Sequence, residues 1–428
     1  MNLTTPLACE VQKTYLVDMS HTVLIEEIEA WLIDKALGDP DIVTLFQRLC
    51  ERLSGAGLPL DRAALSWPTL HPLFRAEQIF WNNDDGAHLE QHSHANRHSD
   101  AWLRSPFYYV IQRQLAMFRR RLTGEDAMAD FDVLKEFQSQ GYTDYLMTSS
   151  DFRIGEVKIL EDQRTGTLAS WATKREGGFT DADIRALGRI QKSFAVACRV
   201  AIQRRVTTNL MNTYLGPTAG TNALSGDIQR GDGERIRAVV YYADLRNSTR
   251  MSGDMESDEY LSLLNRYYDC VAQPVTDEGG EILDYIGDAV LAIFPVRGET
   301  GLPEATRVAT RAMEKALMLR EESEDKNRMR FCISMAVGDV MFGNVGVPER
   351  LSFSVIGKVV NQVARMDDIS KELGRAVLVT SEIANVDRKR WFSLDEQTLV
   401  GIEEPVELFA RVCDMDAFET TEMTKKTA

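Results

Sequence analysis

The sequence predicts an α+β protein with two domains, and three observations lead to that prediction. The length of 428 residues is sufficient for two or three domains, each with its own hydrophobic core. In the first half, helical and strand-like segments alternate irregularly and end in one long amphipathic helix. In the second half, helices and strands follow a βααβ-type order, which is typical of ferredoxin-like folds.

The predicted domain limits follow changes in periodicity and breaks rich in glycine and proline. We expect a lead-in over residues 1–22, an N-terminal domain over 23–200, a helical connection over 201–234, a C-terminal domain over 235–414 and a polar tail over 415–428.

The composition excludes several classes of protein. A net charge of -16 argues against non-specific binding of nucleic acid and against a polybasic membrane patch. The six cysteines are scattered without paired spacing, which indicates reduced thiols. No apolar run approaches the ~20 residues that span a bilayer, and the N-terminus does not have the pattern of a signal peptide. Together these features predict a cytoplasmic location.

Periodicity predicts the elements of the N-terminal domain. The helices cover residues 23–35, 41–53 and 131–140, and the strands cover 62–70, 75–81, 144–149, 155–160 and 167–173. Thr180 is the predicted N-cap of the long last helix. This layout, with the Phe179-Thr180-x-x-Asp183 start of that helix, resembles a GAF-type sensor domain. The resemblance implies that a small molecule or a protein of unknown identity acts on this domain.

Four of the six histidines, His88, His92, His94 and His98, lie in the polar segment 82–105. Their spacing permits a zinc site, because imidazole is a common zinc ligand. No cysteine lies nearby, and the flanking asparagines, aspartates and glycine are typical of open loop. We therefore expect a solvated loop, with a metal site as the alternative.

The connection over 201–234 continues the long helix as far as Leu215. Its apolar positions Val206, Leu210 and Met211 predict packing against another helix, and a helix of a second chain is one candidate. Gly216 and Pro217 interrupt the helix. The connection either carries a change in helix angle or twist from the N-terminal domain to the C-terminal domain, or it is a passive linker.

Two aspartates in matching contexts mark the C-terminal domain. Asp244 ends a β-branched and aromatic strand over 237–242, and Ser248 or Thr249 is the predicted cap of the next helix. Asp288 lies in a turn between residues 282–283 and a strand over 289–294. Two carboxylates at neighbouring strand ends can bind a pair of divalent cations, and a triphosphate is a natural ligand for such a pair. The alternative is that each aspartate is a cap or a turn residue.

Asn361 and Arg365 are four residues apart in a predicted helix and therefore lie on one face. An amide beside a guanidinium can hold a sugar oxygen and a phosphate oxygen, whereas the simpler interpretation is a solvated polar face. Elsewhere in this domain we predict helices over 257–275 and 302–320, strands over 331–337, 353–356, 376–380 and 406–412, and a loop and hairpin over 338–346.

Residues 235–412 resemble the catalytic domain of class III nucleotidyl cyclases. The order and spacing of the Asp244 turn, the Gly279-Gly280-Glu281 hairpin, the Gly343–Gly346 run and the Val355-Ile356-Gly357 to Arg365 segment all match. The resemblance implies a homodimer with two Mg²⁺ or Mn²⁺ ions per site. It assigns the metals to Asp244, Asp288 and the Leu245 backbone, the ribose to Asn361, the transferred phosphate to Arg365, and the substrate phosphates to Asn247, Ser248 and Thr249.

The sequence departs from the family pattern at the positions that contact the base and one phosphate. The base-reading positions hold Asp284 and Ser354, and residues 399–406 have no lysine where the family often has a phosphate-binding one. The resemblance implies ATP as the substrate. GTP is a close alternative, because the Asp284 carboxylate can accept hydrogen bonds from the N1-H and amino group of guanine. A regulator that binds nucleotide with little or no turnover is the other alternative.

Overall fold

The computed structural model describes residues 23–95, 99–152, 166–229, 231–298, 301–347 and 349–414. The chain divides between Thr213 and Tyr214 into an N-terminal unit and a C-terminal unit. This division falls inside the predicted connection, while the predicted domain limits themselves stay a prediction. Within the described ranges, no helix is long and apolar enough to cross a membrane.

The N-terminal unit is built on a six-stranded antiparallel sheet in the order β3-β2-β1-β6-β5-β4. The strands are β1 Arg62–Pro68, β2 Phe74–Asn82, β3 Gly86–Ser93, β4 Met117–Arg121, β5 Asp144–Asp151 and β6 Gly166–Thr173. The helices are α1 (23–36), α2 Ile42–Gly55, α3 Asp100–Leu103, α4 Pro106–Gln112, α5 Asp132–Ser139 and α6 Asp181–Leu215.

Helices cover both faces of this sheet, because successive strand residues point to opposite sides. Leu146 faces a core formed with α1, α2 and α6. Its neighbours Tyr145 and Met147 face a second core formed with α4 and α5. The predicted helices and the strands of this unit are confirmed where the structure describes them, whereas the predicted strand over 155–160 lies outside the described residues.

The predicted loop over 82–105 is wrong, because β3 and α3 occupy half of it. The side chains of β3 are mostly polar, so its sequence resembles a loop. The strand lies at the edge of the sheet and pairs with β2 through its backbone. His88 is exposed on β3, His92 contacts the Gln78 side chain at 3.1 Å, and His94 contacts the His71 carbonyl at 2.9 Å. Among the residues described, no three or more His, Cys, Asp or Glu form a metal-binding group. His98 lies outside the described residues.

Helix α6 starts and ends as the sequence predicts. The amide of Asp183 donates to Thr180 Oγ1 at 3.3 Å, and the amide of Thr180 donates to Asp183 Oδ2 at 2.7 Å, which forms a reciprocal cap. Gly216, with a φ of 85°, follows the last helical residue. Val206 is buried in the core of this unit and Leu210 packs against that core, so these two positions do not provide a surface for a second chain.

A buried ion pair connects α6 to the sheet. Glu77 on β2 is 0% exposed, and Arg205 donates to its two carboxylate oxygens at 2.7 Å and 2.8 Å. Gln91 donates to the same carboxylate at 2.9 Å. Burial alone would raise the pKa of Glu77, but the bonds from Arg205 and Gln91 outweigh it and lower the pKa.

The C-terminal unit contains an eight-stranded mixed sheet. Seven strands follow the order β13-β14-β12-β10-β7-β9-β8, and β11 pairs with β10. The strands are β7 Gly233–Leu245, β8 Glu281–Ile286, β9 Ala289–Pro295, β10 Phe331–Val347, β11 Arg350–Ile356, β12 Val377–Thr380, β13 Trp391–Gln397 and β14 Val406–Arg411. The helices are α7 Pro217–Ser225, α8 Ser248–Asp254, α9 Ser257–Val271, α10 Gln273–Asp277, α11 Gly301–Glu322, α12 Lys358–Glu372 and α13 Ser381–Ala384.

Alternation along β7 again builds two cores. Val239 and Tyr241 pack with α9 and α11 on one face of the sheet, whereas Ala238 and Val240 pack with α12 on the other. The mixed helices and strands confirm the predicted α+β class.

Two predicted elements of this unit are wrong. The predicted helix over 257–275 is interrupted between Val271 and Gln273, because Pro274 has no N–H and its ring clashes with the preceding turn. Of the loop and hairpin predicted over 338–346, the loop is wrong and the hairpin is confirmed, because these residues form the second half of β10, which pairs with β7 and forms a hairpin with β11.

We predict that Arg205→Met lowers the free energy of unfolding of the N-terminal unit by about 3 kcal/mol, because Glu77 is left as a buried, unpaired charge. Urea denaturation followed by tryptophan fluorescence measures this, since five of the six tryptophans lie in that unit. The folded-state pKa of Glu77 is lowered, so the loss should be present at neutral pH and should shrink as the pH falls through that pKa.

The matched control is Arg48→Met, which removes an exposed ion pair with Glu51 and should cost under about 1 kcal/mol. The double variant Glu77→Leu with Arg205→Met should recover most of the loss. Equal effects of Arg205→Met and Arg48→Met would show that the buried pair does not stabilise the unit.

Candidate active site

The pairing of three strands brings Asp244 and Asp288 together. Asp244 is the penultimate residue of β7, and the preceding residue Ala243 pairs with Val290 of β9. Gly287 and Asp288 form the turn from β8 to β9, and Gly287 has a φ of 65°, which favours glycine. The turn therefore lies beside the end of β7, as the sequence predicts.

The two carboxylates are in an environment that disfavours their charge. The Asp244 side chain is 14% exposed, and burial raises its pKa, although a hydrogen bond from Lys371 opposes the rise. Burial also raises the pKa of Asp288. The neighbouring Asp244 carboxylate adds to that rise, and a hydrogen bond from Ser248 opposes it.

The turn after β7 differs from the prediction in its helix cap. Asn247, with a φ of 63°, is the N-cap of α8, and Ser248 is the first helical residue. Neither Ser248 nor Thr249 therefore occupies the cap position, because the chain leaves β7 through a left-handed residue that asparagine tolerates well. Leu245 is buried and pairs with Phe331 of β10.

Arg246 fixes this turn to the end of α12. Its guanidinium donates to the Ser370 carbonyl at 3.1 Å, to the Ser370 hydroxyl at 3.2 Å and to the Arg375 carbonyl. Its backbone amide donates to the Arg330 carbonyl at 2.7 Å. The segment between Asp244 and α8 is therefore held to two other parts of the unit.

Lys371 on α12 is a site residue that sequence reasoning missed. Its Nζ lies 2.6 Å from Asp244 Oδ2 and 2.6 Å from Asp367 Oδ2. Burial alone would lower the pKa of Lys371, but the bonds to the two carboxylates raise it above its ordinary value. Asp367 is buried, and its other oxygen accepts from the Cys332 thiol. The i, i+4 spacing of Asp367 and Lys371 was visible in the sequence, but their proximity to Asp244 was not.

Asn361 and Arg365 lie on a different face of α12. Both are exposed, and Arg365 approaches Asp368 at 3.7 Å. Asp367 follows Asn361 by six positions, which rotates the helix by about 600° and separates the two side chains by about 120° around the axis. Within one chain, the face with Asp367 and Lys371 meets Asp244, while the face with Asn361 and Arg365 meets solvent.

The two predicted base-reading residues lie on strands that contact each other. Asp284 is exposed on β8, and Ser354 is half-buried on β11, where it pairs with Gly343 of β10. β8 and β11 are in contact. In the segment without lysine, Val400 and Gly401 form an exposed turn, with a φ of 82° at Gly401.

Residues 234–408 match the family model of the adenylate and guanylate cyclase catalytic domain. The matched region lies within the C-terminal unit and confirms the resemblance seen in the sequence. The resemblance of the N-terminal domain to GAF-type sensors stays a prediction.

Comparison with curated proteins finds uncharacterized relatives in two mycobacteria. Proteins of Mycobacterium bovis and Mycobacterium tuberculosis are each 29% identical to this chain over 227 residues. The match covers 52% of this chain, and this chain spans only 41% of the length of those relatives.

Several solved cyclase structures are similar to the chain. The adenylyl cyclase CyaB from P. aeruginosa is 21% identical with a TM-score of 0.38, and the match covers 42% of this chain and 96% of that one. The guanylyl cyclase Cya2 is 21% identical with a TM-score of 0.36, and the match covers 42% and 93% of the two chains. A bacterial light-regulated adenylyl cyclase is 15% identical with a TM-score of 0.41, covering 57% and 82%.

We predict that Asp288→Asn raises the thermal unfolding midpoint of the C-terminal unit by about 2 °C in a chelating buffer. The folded-state pKa of Asp288 is raised, so its contribution to stability is present at low pH and is lost as the pH rises through that pKa. At neutral pH the ionised carboxylate therefore destabilises the unit, and asparagine removes that charge. Calorimetry at pH 7 and pH 5 measures the effect, and the difference between wild type and variant should shrink at pH 5.

Asp284→Asn is the matched control, because this exposed aspartate lies on the same hairpin. It should change the stability by less than about 0.5 kcal/mol. A lower midpoint for Asp288→Asn would show instead that the fold stabilises the charged carboxylate.

Proposed function

We propose that this chain is a nucleotidyl cyclase that converts ATP to 3′,5′-cyclic AMP and pyrophosphate in intracellular signal transduction. The observation that carries the proposal is the Asp244 and Asp288 pair, half-buried at adjacent strand ends in a unit of the cyclase catalytic family. The catalytic family is common to adenylate and guanylate cyclases, so the choice of ATP is part of the proposal.

The donor set of this pair fits divalent cations. Two carboxylates supply hard oxygen ligands, and Mg²⁺ is often held by one or two carboxylates together with waters and substrate phosphates. The raised pKa values of Asp244 and Asp288 are consistent with such a site, because a bound cation would relieve the cost of two neighbouring negative charges. We propose that the pair, with the Leu245 backbone carbonyl, holds two Mg²⁺ or Mn²⁺ ions.

The reaction joins the ribose 3′-oxygen to the α-phosphorus, releases the hydroxyl proton to solvent and breaks the bond from that phosphorus to the leaving pyrophosphate. When bound, the cations supply Lewis acidity at the attacking oxygen and neutralise charge on the leaving phosphates. Asp244 and Asp288 would hold the positive charge of the cations at the end of β7. Asn361 orients the ribose, and Arg365 donates to the transferred phosphate as charge develops on it. The turn containing Asn247, Ser248 and Thr249 contacts the substrate phosphates, and its anchoring through Arg246 limits its movement.

The two faces of α12 support a homodimer with shared sites. Asn361 and Arg365 meet solvent in one chain, so they can serve the aspartate pair of a second copy. Exposed apolar side chains on β8 and on the β10–β11 hairpin support such a contact, including Tyr285 at 49% and Ile286 at 54% exposure. A two-fold arrangement would create two equivalent sites.

Base selection is proposed for Asp284 and Ser354, on contacting strands. An exposed carboxylate accepts hydrogen bonds, which suits guanine, so guanylate cyclase activity is the second candidate. A catalytically weak or inactive nucleotide-binding regulator is a further candidate, favoured by the turn at Val400 without lysine. For the N-terminal unit we propose a GAF-like role in receiving a small-molecule or protein signal.

The first test is product formation by the purified chain with Mn²⁺, with ATP and GTP offered separately. We expect cyclic AMP from ATP, and a loss of at least about a hundredfold in Asp288→Ala, because the substrate charge is then poorly neutralised. Cyclic GMP as the main product would assign the guanylate cyclase. No cyclic product from either substrate, with folded protein, would favour the regulator.

A second prediction concerns the shared site. Asp288→Ala and Arg365→Ala should each be inactive, but co-expression of both variants should restore about a quarter of wild-type activity. Random assortment makes half of the dimers mixed, and each mixed dimer has one intact site out of two. The matched control pairs Asp288→Ala with Asp244→Ala, which leaves no intact site in any dimer. Recovery in the control, or none in the test pair despite mixed dimers, would contradict sharing.

A further inference from the structure

We propose that Lys371 is a tethered cation that competes with the divalent cation for Asp244 and so sets the metal affinity of the aspartate pair. This makes Lys371 a positioning residue of the site, because it acts through Asp244. The inference rests on the proposed function, since it requires the Asp244 and Asp288 pair to be the metal site.

The geometry places the lysine directly on the proposed ligand. Lys371 Nζ is 2.6 Å from Asp244 Oδ2, so the ammonium donates a short, charge-assisted hydrogen bond to that oxygen. That oxygen is a candidate metal ligand, so a divalent cation must either share the carboxylate with Lys371 or displace it. In both cases a positive charge close to Asp244 opposes the binding of a second positive charge.

The lysine also has an alternative partner. Asp367 Oδ2 lies 2.6 Å from the same Nζ, and Asp367 is 3% exposed. The ammonium of Lys371 therefore forms ion pairs with two carboxylates, one from Asp244 and one from Asp367. When a cation takes Asp244, the ammonium keeps one carboxylate partner and does not become a buried, unpaired charge.

The surroundings of Asp367 help to distinguish a lysine that competes with the metal from a lysine that only supports the fold. The thiol of Cys332 donates to the other oxygen of Asp367, and Cys332 pairs with Asp244 across the β7–β10 ladder. Because the thiol is a neutral donor, Lys371 is the cation that pairs with the buried Asp367 carboxylate. The bond to Asp244, however, adds positive charge where the proposed cations bind. A purely supporting lysine would hold Asp244 in place, and its loss would weaken metal binding. A competing lysine predicts the opposite.

The test is titration of wild type and Lys371→Met with Mn²⁺ alone, with free Mn²⁺ measured by electron paramagnetic resonance. We expect the Kd for Mn²⁺ to fall by about tenfold in Lys371→Met, because one adjacent positive charge is removed. Lys371→Arg, which keeps the charge, should bind within about threefold of wild type. The matched control is Lys315→Met, since Lys315 forms an ion pair with Glu278 elsewhere in the same unit, and its Kd should not change.

An unchanged or higher Kd in folded Lys371→Met would overturn the proposal. That variant fails to fold if Asp367 cannot tolerate the loss of its cationic partner. In that case the test is the rate of chemical acetylation of lysines in the wild type, with and without Mn²⁺. Mn²⁺ should then increase the reactivity of Lys371 several-fold and leave that of Lys315 constant, and an unchanged Lys371 would overturn the proposal. If the wild type binds no Mn²⁺ and Asp288→Asn behaves identically, the metal pair itself fails, and with it the proposed function.

Discussion

The antiparallel pairing of β7 with β10 is the interaction on which the C-terminal unit depends. It runs from the Leu245–Phe331 pair at one end to the Gly233–Gly343 pair at the other. The glycine end is sterically demanding, because a Cβ at Gly343 would lie 2.3 Å from the Asp232 carbonyl. The opposite end places Asp244 beside Cys332. A one-residue shift in this register would reverse the faces of β7 and move Asp244 away from α12.

The candidate site combines local and distant parts of the chain, and this decides what the sequence could predict. The strand before Asp244, the Gly287-Asp288 turn and the Thr180 cap are short patterns with a direct physical cause, and the structure confirms all three. The Asn247 cap was missed, although asparagine is as strong a cap candidate as serine, because the left-handed backbone at Asn247 depends on the surrounding fold. Lys371 was missed because its contact with Asp244 joins residues 127 positions apart.

Charge is distributed unevenly through the two units. In the N-terminal unit, Glu77 is fully buried but completely compensated by Arg205 and Gln91. In the C-terminal unit, Asp244 and Asp288 are close together with one lysine between Asp244 and Asp367. The first arrangement stabilises a packed element, whereas the second keeps negative charge in excess, as expected for a site that binds cations. Burial alone therefore does not distinguish a structural ion pair from the proposed metal site, but the ratio of acids to cations does, because Arg205 serves Glu77 whereas Lys371 is shared by Asp244 and Asp367.

The two outer strands of the N-terminal sheet carry polar and charged side chains, which bears on solubility. β3 carries His88, Glu90 and His92, and β4 carries Arg119, Arg120 and Arg121. Edge strands expose unpaired backbone groups that can recruit a strand from another molecule, and charged or polar side chains discourage such pairing. The polar residues that give β3 a loop-like sequence are therefore of the kind that discourages such pairing at the edge of the described sheet.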